Sequence, residues 1–219
     1  MVQNRGMPLS RRGLLLSLAS LAVLAACGRQ RKLAAVPAGA TVLALGDSIT
    51  FGTGAPPEAS YPSVLAGLTG WSIVNAGVPG DTSAGALTRL PALMKDHAPK
   101  LVLLGIGGND FLRRVPVAET RANIRALCQQ AEAAGAQVLL IAIPEPSALA
   151  AVVRSLGDHA MYAEIAGELK LPLHAGGWSA VLSDPALRSD PIHANAQGYE
   201  AFARGLAQRL RELGLLAGP

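Results

Sequence analysis

A serine that could act as a nucleophile stands directly after a short run of aliphatic residues. The segment VLALGDSITFGTG, residues 42–54, breaks at Gly46 and continues as Asp47 and Ser48. In an open parallel sheet the carboxyl ends of the strands face the ligand crevice, so a hydroxyl there belongs either to a turn or to a nucleophile. A serine hydroxyl needs a base to accept its proton, and the base needs a carboxylate that sets its tautomer. We therefore expect a histidine with a neighbouring acid elsewhere in the chain.

One of the four histidines has a carboxylate at a suitable spacing. His193 lies in SDPIHANAQGYEAF, three residues after Asp190 and just before the last helical pattern, where one turn can aim both side chains the same way. His97 and His159 lie in polar segments and are expected on the surface, and His174 follows the last predicted strand. The pattern Asp-x-x-His is common, so by itself it does not establish a catalytic pair.

Two further segments end predicted strands and would meet Ser48 at the same edge of the sheet. KLVLLGIGGND places Asn109 after the third strand, and WSIVNAGVPGDTS places Gly77 after the second. Acyl transfer needs donors aimed at the developing oxyanion, which an asparagine amide and a backbone N–H can supply. The alternative, a phosphate-binding loop at residues 105–108, lacks both the G-x-G-x-x-G spacing and a Walker lysine.

Several other residues with reactive or aromatic side chains have structural explanations. Asp47 is expected to hydrogen-bond its own turn, and Cys128, in the helical pattern IRALCQQAEAAG, is expected to be a small core residue. Trp71 and Trp178 are expected in the core or at its rim. We expect no metal and no cofactor.

The elements that must position these residues alternate between apolar runs and helical patterns. The apolar runs are TVLAL, WSIVNA, KLVLLGI, AQVLLIAI and LPLH. Such alternation is typical of βαβ units and a parallel sheet. We therefore predict an α/β domain over residues 41–219, a three-layer α/β/α sandwich with a flavodoxin-like, doubly wound parallel sheet of about five strands.

Three helix ends are also visible. Ser60 can cap a helix through YPSVLAGLTG, Gly135 can end the helix that contains Cys128, and Asn195 can cap the last helix. In that last helix, apolar residues recur at steps of three and four and predict a face packed on the sheet: Tyr199, Phe202, Leu206, Leu210 and Leu213.

The chain begins with a segment that is typical of export. Arg11 and Arg12 precede an apolar run from Leu14 to Ala26, which is too short to span a bilayer and ends in small residues. We interpret residues 1–26 as a signal peptide, with paired arginines that fit the twin-arginine route. Leu24 to Cys27 resembles a lipobox, in which the cysteine thiol carries a diacylglycerol. The alternative is a chance cysteine after an ordinary signal sequence.

Residues 27–40 are then expected to be a lipidated tether that lifts the domain from a membrane surface. The formal net charge of +4 comes from the leader and tether, which contain Arg5, Arg11, Arg12, Arg29, Arg31 and Lys32 and no acidic residue. The remaining body offers no electrostatic case for binding nucleic acid. We expect an exported, periplasm-facing monomer in the cell envelope.

Taken in order, the segments GDSI, NAG, GGND and DPIH resemble the sequence blocks of the GDSL or SGNH hydrolase superfamily. The resemblance covers residues 41 to about 212. It is closest to the bacterial multifunctional thioesterase, arylesterase and lysophospholipase branch, through GDTSAGALTRLPALMKDHAPKLVLLGIGGND.

The resemblance implies a role for each matched residue. Ser48 would be the nucleophile and a backbone oxyanion donor, Gly77 and Asn109 the other donors, His193 the base, and Asp190 the residue that orients it. Members of the family commonly have glycine after the aspartate and proline after the histidine. This chain has Pro191 and Ala194 instead, so the turn between the two catalytic residues can differ.

Together these features predict an exported, lipid-anchored serine esterase that acts on small acyl esters. The alternatives are a thioesterase, a carbohydrate O-deacetylase, or a non-catalytic lipid- or glycan-binding lipoprotein that keeps the fold. Apolar residues after the fourth strand could line an acyl groove or pack a helix: Ala148, Leu149, Val152 and Val153.

Overall fold

The computed structural model of the protein describes Met1, residues 33–145 and residues 156–216. The strands are β1 (Thr41–Gly46), β2 (Ser72–Gly77), β3 (Leu101–Gly105), β4 (Gln137–Ile141) and β5 (Leu173–His174). The helices are α1 (Ser48–Phe51), α2 (Tyr61–Thr69), α3 (Ser83–His97), α4 (Gly108–Leu112), α5 (Val117–Ala133), α6 (Met161–Leu169), α7 (Gly177–Ser183) and α8 (Ala196–Glu212). Short 3₁₀ turns occupy Pro57–Ala59 and Pro185–Leu187. In these ranges no helix is both long and apolar enough to cross a membrane.

The five strands form one parallel sheet in the order β2-β1-β3-β4-β5. This is the flavodoxin-like order, and it confirms the predicted fold class. The direction of winding reverses between β1 and β3, and ligands of such sheets bind at that point, outside the carboxyl ends of the strands. Ser48 follows β1 and Asn109 follows β3, so the two residues flank the crevice.

Burial explains why β1 and β3 lie at the centre. In β1 every residue after Thr41 is buried, and β3 is buried throughout, as expected for strands that are covered by helices on both faces. On the outside, α2 packs with α8, and α3 packs with α5. At the edge, the run LPLH forms only the short β5, which pairs with the end of β4 through Leu140–Leu173 and Ile141–His174.

The last helix packs as its pattern predicts over most of its length. Tyr199, Phe202, Leu206 and Leu210 are buried, whereas Leu213 lies just past the helix end and is only partly buried. Phe202 stacks on Trp178 with ring centroids 3.7 Å apart, so Trp178 is a core residue. The Asn195 Oδ1 atom accepts a hydrogen bond from the Gly198 N–H at 3.0 Å, which confirms the predicted cap.

The other predicted helix ends and the lone cysteine are also located. Gly135 follows the end of α5 with a φ of +91°, as predicted. Ser60 stands at the cap position of α2, but its hydroxyl donates to the Pro57 carbonyl instead of accepting from the helix. Cys128 is buried on α5, as expected for a core residue.

The folded body begins before residue 41. Val36 is buried, its N–H donates to the Leu215 carbonyl at 2.8 Å, and its carbonyl accepts from the Trp71 indole at 3.1 Å. The Ala34 N–H donates to the side-chain carbonyl of Gln137, and the Gln137 amide donates to the Ala34 carbonyl. The second half of the predicted tether therefore packs on the domain, because Val36 contributes an apolar side chain to the core.

Some sequence-based predictions lie outside the described residues. They concern the signal peptide beyond Met1, Cys27 with residues 28–32, and the groove candidates Ala148, Leu149, Val152 and Val153.

Candidate active site

Ser48 is the first residue of α1, directly after the end of β1. Asp47 precedes it as the helix cap, and its Oδ1 atom accepts a hydrogen bond from the Ile49 N–H at 3.1 Å, as predicted for a turn residue. A side chain at Gly46 would overlap Thr50, because its Cβ would lie 2.0 Å from the Thr50 Oγ1 atom. The glycine thus allows the sharp change from strand to helix that presents the Ser48 hydroxyl.

The structure brings Ser48, His193 and Asp190 together. The Oγ atom of Ser48 lies 2.9 Å from Nε2 of His193, and Nδ1 of the same ring lies 2.6 Å from Oδ2 of Asp190. These contacts join the two ring nitrogens to a hydroxyl and to a carboxylate. This is the arrangement in which a histidine can take a proton from serine while the acid holds the ring.

A closed turn holds Asp190 in place. Its Oδ1 atom accepts hydrogen bonds from the N–H groups of Ile192 and His193, both at 2.8 Å. Pro191 stands between Asp190 and the first of these donors, and the turn needs no N–H from that position. An antiparallel bridge between Arg188 and Ala194 closes the base of the turn. The two departures from the family pattern therefore still leave a turn that joins the acid to the base.

The same contacts set the charge of the acid. Burial alone would raise the pKa of Asp190, but hydrogen bonds from the His193 ring and from two backbone N–H groups outweigh it and hold the pKa below its usual value. Asp190 therefore stays ionised over the range in which an imidazole base works.

Asp47 has the opposite electrostatic environment. Its side chain is buried, and burial raises its pKa to about 7, although the Ile49 N–H opposes this effect. Asp47 caps α1, and its described hydrogen bonds do not involve the Ser48 hydroxyl. This placement fits a structural role.

Asn109 lies on α4 beside the crevice. Its Nδ2 atom donates to the Asp81 carbonyl at 2.9 Å and lies 3.5 Å from the Asp47 Oδ2 atom. An amide nitrogen carries two hydrogens, and only one is used in the short contact. The second hydrogen can therefore donate to a developing oxyanion.

Gly77 requires a correction, because its backbone N–H already has an acceptor. It donates to the Oδ1 atom of Asn75 at 3.0 Å, and the Asn75 amide donates to the Phe51 carbonyl at 3.2 Å. A Cβ at Gly77 would lie 2.1 Å from the Phe51 backbone nitrogen. Gly77 thus lets β2 pass close to α1, and its N–H is not available to an oxyanion.

A second glycine in the same segment, Gly80, offers a backbone N–H in its place. Gly80 has a φ of +80°, and its N–H has no acceptor within the part of the chain that the structure describes. The next residue is Asp81, whose carbonyl accepts a hydrogen bond from the Asn109 amide, so Gly80 lies beside Asn109. The sequence contains a signal for it: Pro79-Gly80 marks a turn just before the helix that Thr82 caps.

Asp110 is a further residue that the sequence analysis missed. It is buried next to Asn109 in the chain, and it accepts hydrogen bonds from the N–H of Ser83 at 2.8 Å and from the Ser83 hydroxyl at 2.5 Å. The carboxylate thereby ties the start of α3 to α4. The aspartate of GGND was the available signal.

The other histidines have no described hydrogen bond to Ser48. His159 is half-buried, with its ring stacked on Phe111 at 4.8 Å, and His97 ends α3. His174 is buried with no partner for Nε2, and burial lowers its pKa to about 4. In the described ranges no group of three His, Cys, Asp or Glu residues could hold a metal ion.

Large exposed apolar side chains occur in the segments that carry the site residues. Four of them form what we call the apolar rim: Phe51, Val78, Leu112 and Ile192. Each lies near a site residue in the chain, since Phe51 ends the helix of Ser48, Leu112 ends the helix of Asn109, and Ile192 precedes His193. Large exposed apolar side chains around a polar centre are typical of a binding surface for apolar groups.

Comparisons with known proteins point to one family. The model of the GDSL-like lipase/acylhydrolase family matches residues 44–201. The chain is 35% identical over 178 residues to thioesterase 1/protease 1/lysophospholipase L1 of Escherichia coli (strain K12), covering 79% of this chain and 84% of that protein. It is 28% identical to an arylesterase of Vibrio mimicus, covering 81% of this chain and 91% of the relative.

Solved structures agree with these matches. The crystal structure of TesA superposes with a TM-score of 0.71 at 30% identity and covers 79% of this chain and 99% of its own. The psychrotrophic esterase EstA from Pseudoalteromonas sp. superposes with a TM-score of 0.69 at 25% identity and covers 78% of this chain and 97% of its own.

Proposed function

The chain belongs to the GDSL-like lipase/acylhydrolase family, and from this premise we propose that it hydrolyses acyl esters through Ser48, His193 and Asp190. One observation carries the proposal: a single imidazole contacts the serine hydroxyl at 2.9 Å and the aspartate carboxylate at 2.6 Å. A nucleophile, its base and the acid that orients the base are thus within hydrogen-bond reach, as covalent catalysis requires.

The reaction follows from these contacts. His193 Nε2 takes the Ser48 proton as Oγ attacks the ester carbonyl carbon, and the carbonyl oxygen becomes an oxyanion. The imidazolium, held by Asp190, then gives the proton to the leaving alcohol, and an acyl-serine remains. His193 next takes a proton from water as the water oxygen attacks the acyl carbon. The bond from that carbon to Oγ then breaks, His193 returns the proton to Oγ, and the carboxylic acid leaves.

Three donors are assigned to the oxyanion: the N–H groups of Ser48 and Gly80 and the amide of Asn109. The N–H groups of Ser48 and Gly80 have no acceptor within the described residues, and the second amide hydrogen of Asn109 makes only a long contact with Asp47, at 3.5 Å, which an oxyanion can replace. Removing one such donor typically lowers kcat by about 10²–10³.

The apolar rim favours an aliphatic acyl ester over an acetylated sugar. An acyl chain beside Ser48 would contact apolar side chains, and each buried methylene contributes about 0.8 kcal/mol. The relatives' names include lysophospholipase, arylesterase and thioesterase. A lysophospholipid or another small lipid ester is therefore the proposed substrate, ahead of a carbohydrate O-acetyl ester. A non-catalytic binding protein would have no need for the contacts among the three catalytic residues.

We also propose that the protein is an exported, periplasm-facing monomer anchored to a membrane through Cys27. The leader and lipobox pattern of residues 1–27 support this location. Acyl-CoA is cytoplasmic, so an exported enzyme would meet lipid esters more readily than acyl-CoA thioesters. Intact-mass measurement tests the anchor, because the mature chain should begin at Cys27 and carry acyl mass. A mature chain that begins elsewhere without acyl mass would contradict it.

The substrate is tested with p-nitrophenyl esters from acetyl to palmitoyl, a lysophospholipid and an acetylated sugar, with Ser48→Ala as the matched inactive control. We expect kcat/KM to rise from acetyl to medium chains and then to level off or fall, because an open surface can bury only a few methylenes. A preference for acetyl esters over every longer chain would move the assignment to a deacetylase. Equal rates of hydrolysis for the wild type and Ser48→Ala would refute the proposed esterase activity at Ser48.

A further inference from the structure

Arg89, on the second turn of α3, contacts two backbone segments that meet at the active site. Its Nε atom donates to the Asp81 Oδ2 atom at 2.8 Å, and its Nη2 atom donates to the Gly46 carbonyl at 2.8 Å. Gly46 is the last residue of β1, two positions before Ser48, and Asp81 directly follows Gly80. One guanidinium therefore joins the segment of the nucleophile to the loop that carries an oxyanion donor.

The Asp81 end of this link is firmly held. The side chains of Arg89 and Asp81 are only 23% and 11% exposed. The Asp81 Oδ1 atom accepts from the Thr82 N–H at 2.9 Å, and a Cβ at Gly85 would lie 1.9 Å from that same oxygen. The first turn of α3 thus packs directly against the carboxylate, and the loop has little room to shift.

The Gly46 end is held as well, and the geometry requires a forked donor. The Gly46 carbonyl also accepts from the Val78 N–H at 3.1 Å, so two groups fix its position. Arg89 reaches its two acceptors with different nitrogens of one rigid plane. A lysine ammonium is a single point charge and does not reproduce such a fork.

We propose that Arg89 is a positioning residue for catalysis: it sets the distance between Ser48 and the donors on the Gly80–Asp81 loop. The Asp81 carbonyl is also the acceptor of Asn109, so a shift of this loop would move two oxyanion donors together. Preorganised donors act only when they meet the oxyanion closely, and a misplacement of about 1 Å can cost about 10²-fold in rate. The inference rests on the proposed esterase function.

A purely structural brace is the competing explanation, and it predicts a different result. A brace would affect how many molecules are folded, whereas a positioning residue changes the rate of each folded molecule. Arg113 also holds this loop, through the Gly80 carbonyl at 2.8 Å, but it is exposed and has no described contact with β1. Asn109 also contacts both segments, through the Asp81 carbonyl at 2.9 Å and the Asp47 Oδ2 atom at 3.5 Å, but it is itself an assigned oxyanion donor, whereas Arg89 is not.

The test compares Arg89→Met and Arg89→Lys with Arg125→Met, which removes an exposed arginine paired with Glu168 on the outside of α5. Each variant is titrated with an activated alkylphosphonate ester to count reactive serines, and kcat and KM for p-nitrophenyl butyrate are expressed per titrated site. We expect both Arg89 variants to lose about 10- to 100-fold in kcat per site, with KM within about threefold of the wild type. We expect the control to stay within about twofold.

A second variant keeps the test decisive if Arg89→Met folds poorly. Asp81→Asn preserves the shape of the side chain and keeps one oxygen for the Thr82 N–H, while the amide weakens the pairing with Arg89, so kcat per site should again fall. Partial recovery of Arg89→Ala by added ethylguanidinium would support positioning. Unchanged kcat per site in folded Arg89 or Asp81 variants would overturn the inference, as would full activity of Arg89→Lys. Failure of the wild type to cleave any ester would instead refute the proposed function.

Discussion

The Nε2 atom of His193 lies 2.9 Å from the Oγ atom of Ser48, although 145 positions separate the two residues in the chain. The contact depends on the parallel sheet, because β1 delivers Ser48 to the carboxyl edge and the turn before α8 brings His193 to the same edge. The contact therefore joins the proposed base to the proposed nucleophile.

This coupling predicts non-additive mutations. Ser48→Ala and His193→Ala should each lower kcat/KM for a p-nitrophenyl ester about as much as the double variant does, since loss of either member disables the pair. Ser48→Ala should melt near the wild-type temperature, because removing one hydroxyl leaves little void. Independent losses that multiply in the double variant would refute the assignment.

Asn109→Ala tests the side-chain oxyanion donor. We expect kcat to fall by about 10²–10³ with a smaller change in KM, because the lost hydrogen bond strengthens only as charge develops on the carbonyl oxygen. Steady-state kinetics with p-nitrophenyl butyrate give both constants. If only KM changes, Asn109 binds the substrate ground state instead.

Gly80 and Gly77 can be distinguished by removing their N–H groups one at a time. Replacing either glycine with glycolic acid during in vitro translation converts its amide to an ester and keeps the side-chain shape. At Gly80 we expect a fall in kcat of about 10²–10³, as for other lost oxyanion donors. At Gly77 we expect lower stability and little change in kcat, because its N–H serves Asn75. The reverse pattern would restore Gly77 as the donor.

Local patterns in the sequence predicted the elements and the turn that carries Asp190 and His193, whereas the roles of Ser48, His193 and Asp190 came from the family resemblance. β1 and β3 appear as continuous aliphatic runs because both of their faces are buried. Asp190 and His193 lie on one short turn, so their spacing alone indicated that they could meet. Features that are set within a few residues of chain were therefore accessible.

Features that depend on distant segments were not accessible in this way. Arg89 reaches Gly46 across 43 positions and Asp110 reaches Ser83 across 27, and no local pattern shows which partner either residue contacts. The assignment of Gly77 as an oxyanion donor met a related obstacle. Whether a backbone N–H is free depends on where a neighbouring side chain turns, and here Asn75 turns back onto Gly77.

His174 should make stability depend on pH. Burial lowers its pKa from 6.5 to about 4, so the folded protein stays neutral there while the unfolded chain takes up a proton. Between these values the unfolded state binds more protons, and the free energy of unfolding should therefore fall as the pH falls from about 6.5 to about 4. His174→Phe keeps a ring against Phe202 and should flatten this part of the profile in urea unfolding. An unchanged slope would contradict the prediction.

Asp47 should change the pH dependence of stability in the opposite direction to His174. Burial raises its pKa from 3.8 to about 7, so between these values the folded state holds a proton that the unfolded chain has released. The folded state binds more protons in this window. The contribution of Asp47 to the free energy of unfolding therefore falls as the pH rises from about 4 to about 7. Above pH 7 the full cost of burying the carboxyl remains, since its folded pKa has been passed.

Asp47→Asn tests this cost directly. Asparagine resembles the protonated acid and keeps an oxygen that can accept from the Ile49 N–H, but it never ionises. Relative to the wild type, the variant should gain stability with rising pH between about 4 and about 7. A pKa difference of this size corresponds to a gain of up to about 4 kcal/mol, at 1.36 kcal/mol per pKa unit. Urea unfolding at pH 4.5, 6 and 8 measures the difference, and a constant offset across that range would show that Asp47 is ionised in the folded protein throughout.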